Sequence, residues 1–355
     1  MGYGPVGAVL AARLGALGVR TLVVERTAEP FPLPRAVAAD DEVQQLLDLV
    51  APGVVADMLR DQQVRFLDAA RRPIGTISFP RGAGGYGGLA FFAQPSLERS
   101  LRSAVAAQEA VEVRLGVGLA SFRQDDDGVT ATLADGAIVR ARWLVGCDGA
   151  SSAVRTAAGI AWRGRDLAHE WLVVDVAGAL PGRAQFTYTC DPALPQVDMP
   201  LPGGHRWEWL LRGPVPAVEV LLARDVTPAA VEVVRAARYR FGARHADRWV
   251  QGRVVLAGDA AHTMPPFAGQ GLGAGVRDAW ALAARLAQGG PGDYEALRAP
   301  HVARMTRLSL FVGAVLQAHT GAAARDILLR KAFSAPALGP WLSRGGPRDS
   351  RSGVL

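Results

Sequence analysis

One turn, formed by residues 258–273, constrains the fold of this chain more than any other stretch. The residues before it, 253–257, are mostly apolar, which predicts a strand covered on both faces. After the turn, apolar residues recur at helical spacing at Leu272, Val276, Ala279, Leu282 and Leu286. The turn carries four glycines, two adjacent prolines and one carboxylate, Asp259. Backbone N–H groups in such a turn can approach an electron-rich ligand, because no bulky side chain intervenes and a helix N-terminus favours negative charge. A plain strand-to-helix connection needs none of this, so we predict a ligand site.

Glycines near the start of the chain form a second candidate turn. Gly2, Gly4 and Gly7 have the G-x-G-x-x-G spacing of a dinucleotide fold, which is a weak signal alone. A helical apolar stripe follows, and then an apolar strand over residues 21–24 that ends at Glu25. In dinucleotide folds an acidic residue about 20 positions beyond the glycines holds the ribose hydroxyls. Together these elements predict nucleotide binding.

A third strand-to-helix turn lies in the middle of the chain. An apolar strand over residues 143–146 ends in Cys147, Asp148 and Gly149, and Ser151 or Ser152 stands near the start of the next helix. Asp-Gly also occurs in ordinary turns. Its combination with the other two turns, in this order, makes coincidence a poor explanation.

These three turns resemble those of a known family. The sequence Gly-Asp-Ala-Ala-His at residues 258–262, with Pro265-Pro266 and Gly269-Gln270-Gly271 after it, resembles the second FAD motif of the single-component flavoprotein aromatic hydroxylases, the para-hydroxybenzoate hydroxylase group. Several segments are most similar to the 3-(3-hydroxyphenyl)propionate hydroxylase branch, and the resemblance covers roughly residues 2–335. It implies an α/β (α+β) fold: a Rossmann-like FAD-binding domain, an inserted mixed β-sheet substrate domain and C-terminal helices.

The resemblance also implies roles for individual residues. It implies that Pro265 and Pro266 line a dry catalytic pocket, and that His262 is structural. Gly273 stands where the family commonly has asparagine, so one flavin contact is lost or is made by the backbone. The cofactor-binding residues that it implies are Gly2, Gly4, Pro5, Val6, Gly7, Glu25, Arg26, Arg35, Gln94, Arg99, Asp148, Gly149, Asp259, Gly269, Gln270, Gly271 and Leu272.

The implied reaction is an aromatic hydroxylation. NAD(P)H, a transient co-substrate, reduces FAD, O2 adds at flavin C4a, and the hydroperoxide hydroxylates a small phenolic or a polyketide-type aromatic substrate. The chemistry belongs to the cofactor, and the protein supplies placement and electrostatics. No metal site and no obvious residue that activates the phenol can be read from the sequence.

The region from about 160 to 250 is rich in aromatic residues and strand-like runs, and we interpret it as the substrate sheet. Strands are predicted at 171–176, 185–188, 205–210 and 218–222. Residues 205, 207 and 209 share one strand face, and 206, 208 and 210 share the other. Tyr188, Trp207, Trp209 and Phe267 are candidate substrate-binding residues, although aromatic side chains could equally form the core of the sheet.

The chain divides into alternating segments of the two units. We assign 1–68, 94–160 and 249–290 to the FAD-binding domain, 69–93 and 161–248 to the substrate domain, 291–345 to C-terminal helices and 346–355 to a tail. Asp40 or Asp41 is expected to cap a helix that follows it. The helices predicted over 294–316 and 321–333 carry Arg298, Arg304 and Arg307, which we place on solvated faces.

A departure from the family keeps alternatives open. A dinucleotide fold needs a strand before its first glycine, and only Met1 precedes Gly2. Either the sequence starts too late, or the sheet lacks a strand and the protein is a degenerate or non-catalytic flavin-binding protein. A flavin-dependent halogenase is a further alternative, but Trp207-Glu208-Trp209 is followed by Leu210-Leu211 and the only lysine, Lys331, is far from the motifs.

Composition narrows the partners. The net charge of +6 comes almost wholly from scattered arginines, which suits anionic ligands better than a nucleic-acid surface. Cys147 and Cys190 match no metal spacing and predict a reducing compartment. With neither a signal peptide nor a membrane-spanning apolar run, we expect a cytoplasmic protein without nucleic-acid or membrane partners, and we leave a homodimer open.

Overall fold

The computed structural model describes residues 1–30, 32, 35–82, 84–178, 180, 182–214 and 216–344. The segment predicted as a tail, 346–355, lies outside the described residues. In the described part of the chain, no helix combines the length and the apolarity that crossing a bilayer requires.

The helices and strands alternate along the chain and belong to a mixed α and β fold, as predicted. The helices are α1 Pro5–Ala16, α2 Asp41–Val50, α3 Gln94–Ala106, α4 Ala153–Ala157, α5 Val218–Leu222, α6 Gly271–Ala287, α7 Tyr294–Leu316, α8 Ala322–Ser334 and α9 Leu338–Ser343. The strands are β1 Thr21–Glu25, β2 Ala38–Asp40, β3 Gln63–Asp68, β4 Pro73–Ser78, β5 Leu89–Phe91, β6 Val111–Leu115, β7 Leu119–Gln124, β8 Val129–Leu133, β9 Ile138–Ala141, β10 Leu144–Gly146, β11 Trp162–Ala177, β12 Phe186–Cys190, β13 Gln196–Leu201, β14 Gly204–Leu211, β15 Glu232–Ala246, β16 Val250–Gln251, β17 Val254–Leu256 and β18 His262–Thr263.

Two short parallel ladders form the sheet of the first unit. One is β1 with β6, and the other has the order β10-β17-β16, in which β10 and β17 are parallel. Helices α1, α3 and α6 bury their apolar faces in one core with these strands. Strands covered in this way are apolar throughout, which explains the fully buried β17.

Met1 and Gly2 join the two ladders. The amino group of Met1 donates to the Val145 carbonyl at 2.8 Å, and Gly2 N–H donates to the Val24 carbonyl at 2.9 Å. A groove of about 1240 Å³, lined in part by these two residues, runs between β1 and β10. We call it the interladder groove.

A mixed sheet of eight strands forms the second unit, with the order β18-β15-β11-β14-β13-β12-β3-β4. Its long strands, β11 and β15, are antiparallel, and β14 pairs with β11 on the other side. Strands β3 and β4 belong to this sheet, so the predicted domain boundary between residues 68 and 69 falls inside one of its hairpins.

Three local predictions can be compared directly with this structure. Asp40 does cap α2, because its Oδ1 accepts from Val43 N–H at 2.9 Å. The strand predicted at 218–222 is wrong, since these residues form α5 and bury Leu221 and Leu222. The solvated position predicted for Arg298 is also wrong: its side chain is 0% exposed, because Asp278 binds it inside the core.

Candidate functional site

The three glycine-rich turns meet at the ends of the parallel strands. A Cβ atom on Gly2 would lie 2.4 Å from the Cys147 carbonyl oxygen, and one on Gly258 would lie 3.0 Å from Val6. A Cβ on Gly7 would lie 2.1 Å from the Gly2 carbonyl oxygen. Glycine at these positions lets the backbones touch. The structure thus brings together the turns that the sequence indicated separately.

Two helices point uncapped N-termini towards open space at this place. The caps of α1 and α6, Gly4 and Gln270, form no side-chain cap hydrogen bond. A Cβ on Gly4, Gly149 or Gly271 would meet no described atom within 4 Å. N–H groups that face open space at a helix N-terminus suit a phosphate or another electron-rich group. Pro5 at the first position of α1 removes a donor that would have no helical partner.

Glu25 lies at the end of β1 and holds the first turn. Its carboxylate accepts from Tyr3 N–H at 2.8 Å and from Thr27 N–H at 2.9 Å. Partial burial raises the pKa of Glu25, but the hydrogen bonds from Thr27 and Tyr3 and the charge of Arg26 outweigh this and lower it overall. The carboxylate is therefore ionised at neutral pH and oriented beside Tyr3. Arg26 itself is exposed.

Gln94 contacts the Arg35 segment. Its Oε1 accepts from the N–H groups of Arg35 and Ala36, both at 2.8 Å, and its Nε2 donates to Glu98 at 2.7 Å. Burial raises the pKa of Glu98 despite that hydrogen bond and the nearby charges of Arg102 and Arg35. Sequence reasoning missed Glu98, which lies one helical turn after Gln94. Arg99, in contrast, is exposed on α3 and bonds Ser96.

Asp259 faces the cleft between the turns. Its side chain is exposed, yet so much protein surrounds it that desolvation raises its pKa, against the lowering effect of the charges of His262 and Arg35. We call the space bordered by Gly4, Asp259 and Gly271 the recess.

Beneath Asp259 lies a buried network that was not predicted from the sequence. Asp278 binds His262 Nε2 at 2.6 Å and Arg298 Nε at 2.9 Å, and it also accepts from Gly258 N–H. Burial raises the pKa of Asp278, but the interactions with His262 and Arg298 hold it below the usual range. His262 is 1% exposed and stacks on Trp249, as expected of a structural residue.

Some of the remaining motif residues have no side-chain hydrogen bond among the described residues, and others are hydrogen-bonded within the protein. Gly269 has a left-handed backbone (φ 65°), which favours glycine, and Leu272 is half-buried at the start of α6. The Gln270 side chain is not directed at the recess, because it bonds Asp40 and Arg277. Asp148 accepts from Ser152 Oγ and Val154 N–H and so fixes the start of α4, next to Gly149.

The turn that contains Pro265 and Pro266 connects the recess to the large sheet. Pro265 is buried and its carbonyl accepts from Ser309 Oγ at 2.6 Å, whereas Pro266 is exposed. Phe267 packs on Trp171 at 5.7 Å and on Phe241 at 6.2 Å between ring centroids. The aromatic face of the sheet therefore begins at this turn.

The four candidate substrate residues do not all lie on that face. Tyr188 belongs to the cluster of Phe267 and stacks with Phe66 at 6.3 Å. Trp207 and Trp209 are 0% exposed and pack with α5 in a different cluster, on the opposite face of the sheet. The structure thus places these two tryptophans in the core, because alternate residues of β14 point to opposite faces.

Comparison with known proteins agrees with these features. A model of the "FAD binding domain" family matches residues 1–192 and 218–308. A 3-(3-hydroxy-phenyl)propionate/3-hydroxycinnamic acid hydroxylase of Mycobacterium sp. (strain JLS) is 36% identical over 366 residues, which cover 95% of this chain and 64% of that protein. The corresponding hydroxylase of Escherichia coli (strain K12 / DH10B) is 35% identical and covers 89% of this chain and 61% of its own length. The chain thus spans slightly less than two thirds of these relatives.

Solved structures show the same fold. The p-nitrophenol 4-monooxygenase PnpA from Pseudomonas putida DLL-E4 matches with a TM-score of 0.84 and 25% identity, and the match covers 98% of each chain. Aklavinone-11 hydroxylase, solved with FAD and aklavinone, matches with a TM-score of 0.79 and 33% identity over 91% of this chain and 69% of that chain.

Proposed function

Because this chain belongs to the FAD binding domain family, we propose that it is an FAD-dependent monooxygenase that hydroxylates a phenolic substrate with NAD(P)H and O2. One observation carries the proposal. Three glycine turns and two uncapped helix N-termini meet at one place, and the chain that continues from Asp259 to Phe267 packs on the aromatic face of the sheet.

The described residues fit FAD. The N-terminus of α1, with Gly4 and Gly7, would hold the pyrophosphate, and Glu25 would hold the ribose. Asp259 and Arg35 would flank the rest of the cofactor, with Asp148 and Gly149 beside it. The residues that would complete the site are Gly2, Pro5, Val6, Gln94, Gly269, Gly271 and Leu272. Arg26, Arg99 and Gln270 are weaker members, since their side chains are exposed or bonded within the protein.

When bound, FAD accepts reducing equivalents from NAD(P)H and activates O2 for transfer of one oxygen atom to an aromatic ring. The chain's own contribution is placement. The α6 N-terminus favours negative charge near it, so it would stabilise an electron-rich ring system. Pro265, Pro266 and Phe267 would restrict water on the substrate side of the recess.

The substrate class follows from the aromatic face and from the relatives. Phe241 and Phe267 are only partly buried on this face, so they provide flat apolar surfaces that suit an aromatic ring. The names of these relatives refer to hydroxyphenylpropionate, hydroxycinnamate, p-nitrophenol and aklavinone. We infer a phenol as the shared chemistry, with one ring or several fused rings.

The halogenase alternative finds no support in the described residues. Lys331 lies exposed on α8, and the two tryptophans of the Trp-Glu-Trp sequence lie in the core behind the sheet. A non-catalytic flavin-binding protein remains the competing function, and experiment separates it from a hydroxylase.

The test uses the purified full chain. We expect it to bind FAD, to oxidise NAD(P)H faster when a phenol is present, and to incorporate one atom of labelled O2 into the product. Asp259→Asn should weaken FAD binding, whereas Asp57→Asn, at an exposed position outside the recess, should not. Bound FAD without phenol-stimulated NAD(P)H oxidation would identify the non-catalytic alternative. Failure to bind FAD would overturn the whole proposal.

A further inference from the structure

Glu208 is a buried carboxylate in the middle of the aromatic face. It lies on β14 between Arg206 and Leu210, and all three point to the face opposite Trp207 and Trp209. Directly across the sheet, Glu208 pairs with Val173 on β11 and with Val197 on β13. Its lateral neighbours are therefore apolar and offer it no hydrogen bond.

Two contacts bracket Glu208 and fix where it faces. Two residues earlier, Arg206 Nη1 donates to the Arg35 carbonyl at 3.3 Å. Two residues later, Leu210 pairs with Trp171, and Trp171 packs on Phe267. Because two residues of a strand span about 7 Å, Glu208 lies between the points where the sheet meets the Arg35 segment and the Pro265–Phe267 turn. Both segments border the recess.

Two guanidinium groups and two carboxylates share this part of the face, but the guanidinium groups lie nearer to Asp175 than to Glu208. Arg206 binds Asp175 at 2.6 and 2.9 Å, and Arg235 also contacts Asp175. The Arg206 guanidinium is 3.8 Å from Glu208, which is longer than a hydrogen bond. No described residue donates a hydrogen bond to this carboxylate, although its side chain is only 13% exposed. The carboxylate therefore keeps a small accessible area through which it can accept a hydrogen bond from a ligand.

Burial also changes the basicity of Glu208. Desolvation raises its pKa, Asp175 adds to this, and the charges of Arg206 and Arg235 oppose it without cancelling it. Tyr188, on β12, is the other titratable group that interacts with Glu208. A carboxylate with a raised pKa binds a proton more tightly than an exposed glutamate does, which suits a general base.

We propose that Glu208 is the catalytic base that accepts the proton of the substrate's phenolic hydroxyl. This inference rests on the proposed function and names a residue that it lacks. The O–H bond of the phenol breaks, the proton moves to the Glu208 carboxylate, and the electron pair stays on the phenolic oxygen. The ring becomes more electron-rich without a change of oxidation state, which prepares it to receive an electrophilic oxygen atom.

The test compares the full chain with Glu208→Gln, Glu208→Asp and the control Glu219→Gln, which alters an exposed glutamate on α5. We expect Glu208→Gln to lower kcat by about 100-fold or more at pH values below the phenol's own pKa. The loss should shrink as pH rises above that pKa, since the phenol then ionises without a base. In the unsubstituted chain kcat should fall as pH drops through the pKa of Glu208, and the glutamine variant should lack this fall. Glu208→Asp should keep part of the activity, and Glu219→Gln all of it.

A binding measurement gives a readout that does not need turnover. The probe is 4-nitrophenol, whose ionised form absorbs at longer wavelength than its neutral form. Below the ligand's pKa, the unsubstituted chain should bind it with the spectrum of the ionised form, and the glutamine variant with that of the neutral form. Thermal unfolding checks that the variants are folded.

The outcomes separate this inference from the proposed function. If Glu208→Gln keeps the kcat, the pH profile and the bound spectrum of the unsubstituted chain, Glu208 is not the base although the hydroxylase assignment stands. If the unsubstituted chain shows no phenol-stimulated turnover, the function fails, and the bound spectrum still decides whether Glu208 takes the proton. Absence of any ionised bound nitrophenol overturns the inference.

Discussion

Gly7→Ala should destabilise the first turn, although alanine usually stabilises a helix relative to glycine. The new Cβ would lie 2.1 Å from the Gly2 carbonyl oxygen. That oxygen cannot easily retreat, because Gly2 N–H is bonded to Val24 and the Gly2 backbone has a left-handed φ of 94° beside Cys147. Overpacking of this kind costs about 1–3 kcal/mol, and we take the upper end because the clash is with backbone. Alanine returns about 1 kcal/mol of helix propensity.

The expected net loss is therefore about 2 kcal/mol of unfolding free energy, a roughly 30-fold fall in the ratio of folded to unfolded chain. Urea unfolding of the cofactor-free chain, followed by tryptophan fluorescence, measures it. The matched control is Gly4→Ala, where a Cβ would meet no described atom within 4 Å and φ is −71°. This control should lose less than about 1 kcal/mol, the scale of an unfavourable helix cap. If Gly7→Ala is as stable as the unsubstituted chain, the close approach of Gly7 to Gly2 is wrong.

Further substitutions test other parts of the site. Asp278→Asn should cost about 3–5 kcal/mol, because it removes the buried carboxylate that binds both Arg298 and His262. A loss below about 1 kcal/mol in urea unfolding would contradict this. The folded-state pKa of Asp278 lies below its unfolded value, so its contribution is present above the ordinary aspartate pKa of about 3.9 and is lost as pH falls further; the difference between the two chains should narrow there. Arg35→Ala should weaken FAD binding by about tenfold or more, the scale of one charged hydrogen bond, and flavin fluorescence titration measures it. Gly273→Asn should cost about 1–3 kcal/mol, because its Cβ would lie 2.9 Å from Arg277 Nη1 and 3.0 Å from Val43, and a thermal melt of this variant beside the unsubstituted chain measures the loss.

The glycine turns could be predicted from the sequence because glycine there reflects a backbone contact. Gly2, Gly7 and Gly258 lie where a Cβ would collide with another turn. The spacing of such residues is local, so it is visible without the fold. The same holds for Asp40, whose capping bond reaches only three residues along the chain.

The face of the substrate sheet could not be predicted in this way. Strand alternation separates residues 205, 207 and 209 from 206, 208 and 210, but both faces of this sheet are buried under other elements. The alternation does not indicate which face meets the recess. The sequence therefore suggests Trp207 and Trp209 as substrate-binding residues and gives no reason to choose Glu208. The contacts of Arg206 and Trp171 identify the face that meets the recess, and the partners in these contacts are distant in sequence.

The other two wrong predictions concern a short apolar run, residues 218–222, and a buried charge, Arg298. The run at 218–222 has no length or periodicity to distinguish helix from strand, and its packing against β11 and β14 decides for helix. Arg298 looks like a surface arginine because its partner, Asp278, belongs to the preceding helix. A buried ion pair between helices leaves no local signal.

The interladder groove is bordered by one edge of β1 and one edge of β10, so two strand edges lie inside the first unit. Residues 21–24 and 144–145 line it from opposite sides, and both belong to parallel ladders. An extended apolar segment that enters it would gain backbone hydrogen bonds on both sides at once, which makes the groove a stronger template for strand addition than an ordinary edge. We therefore expect a peptide strand that binds in the groove to slow hydrogen exchange at the amides that line it.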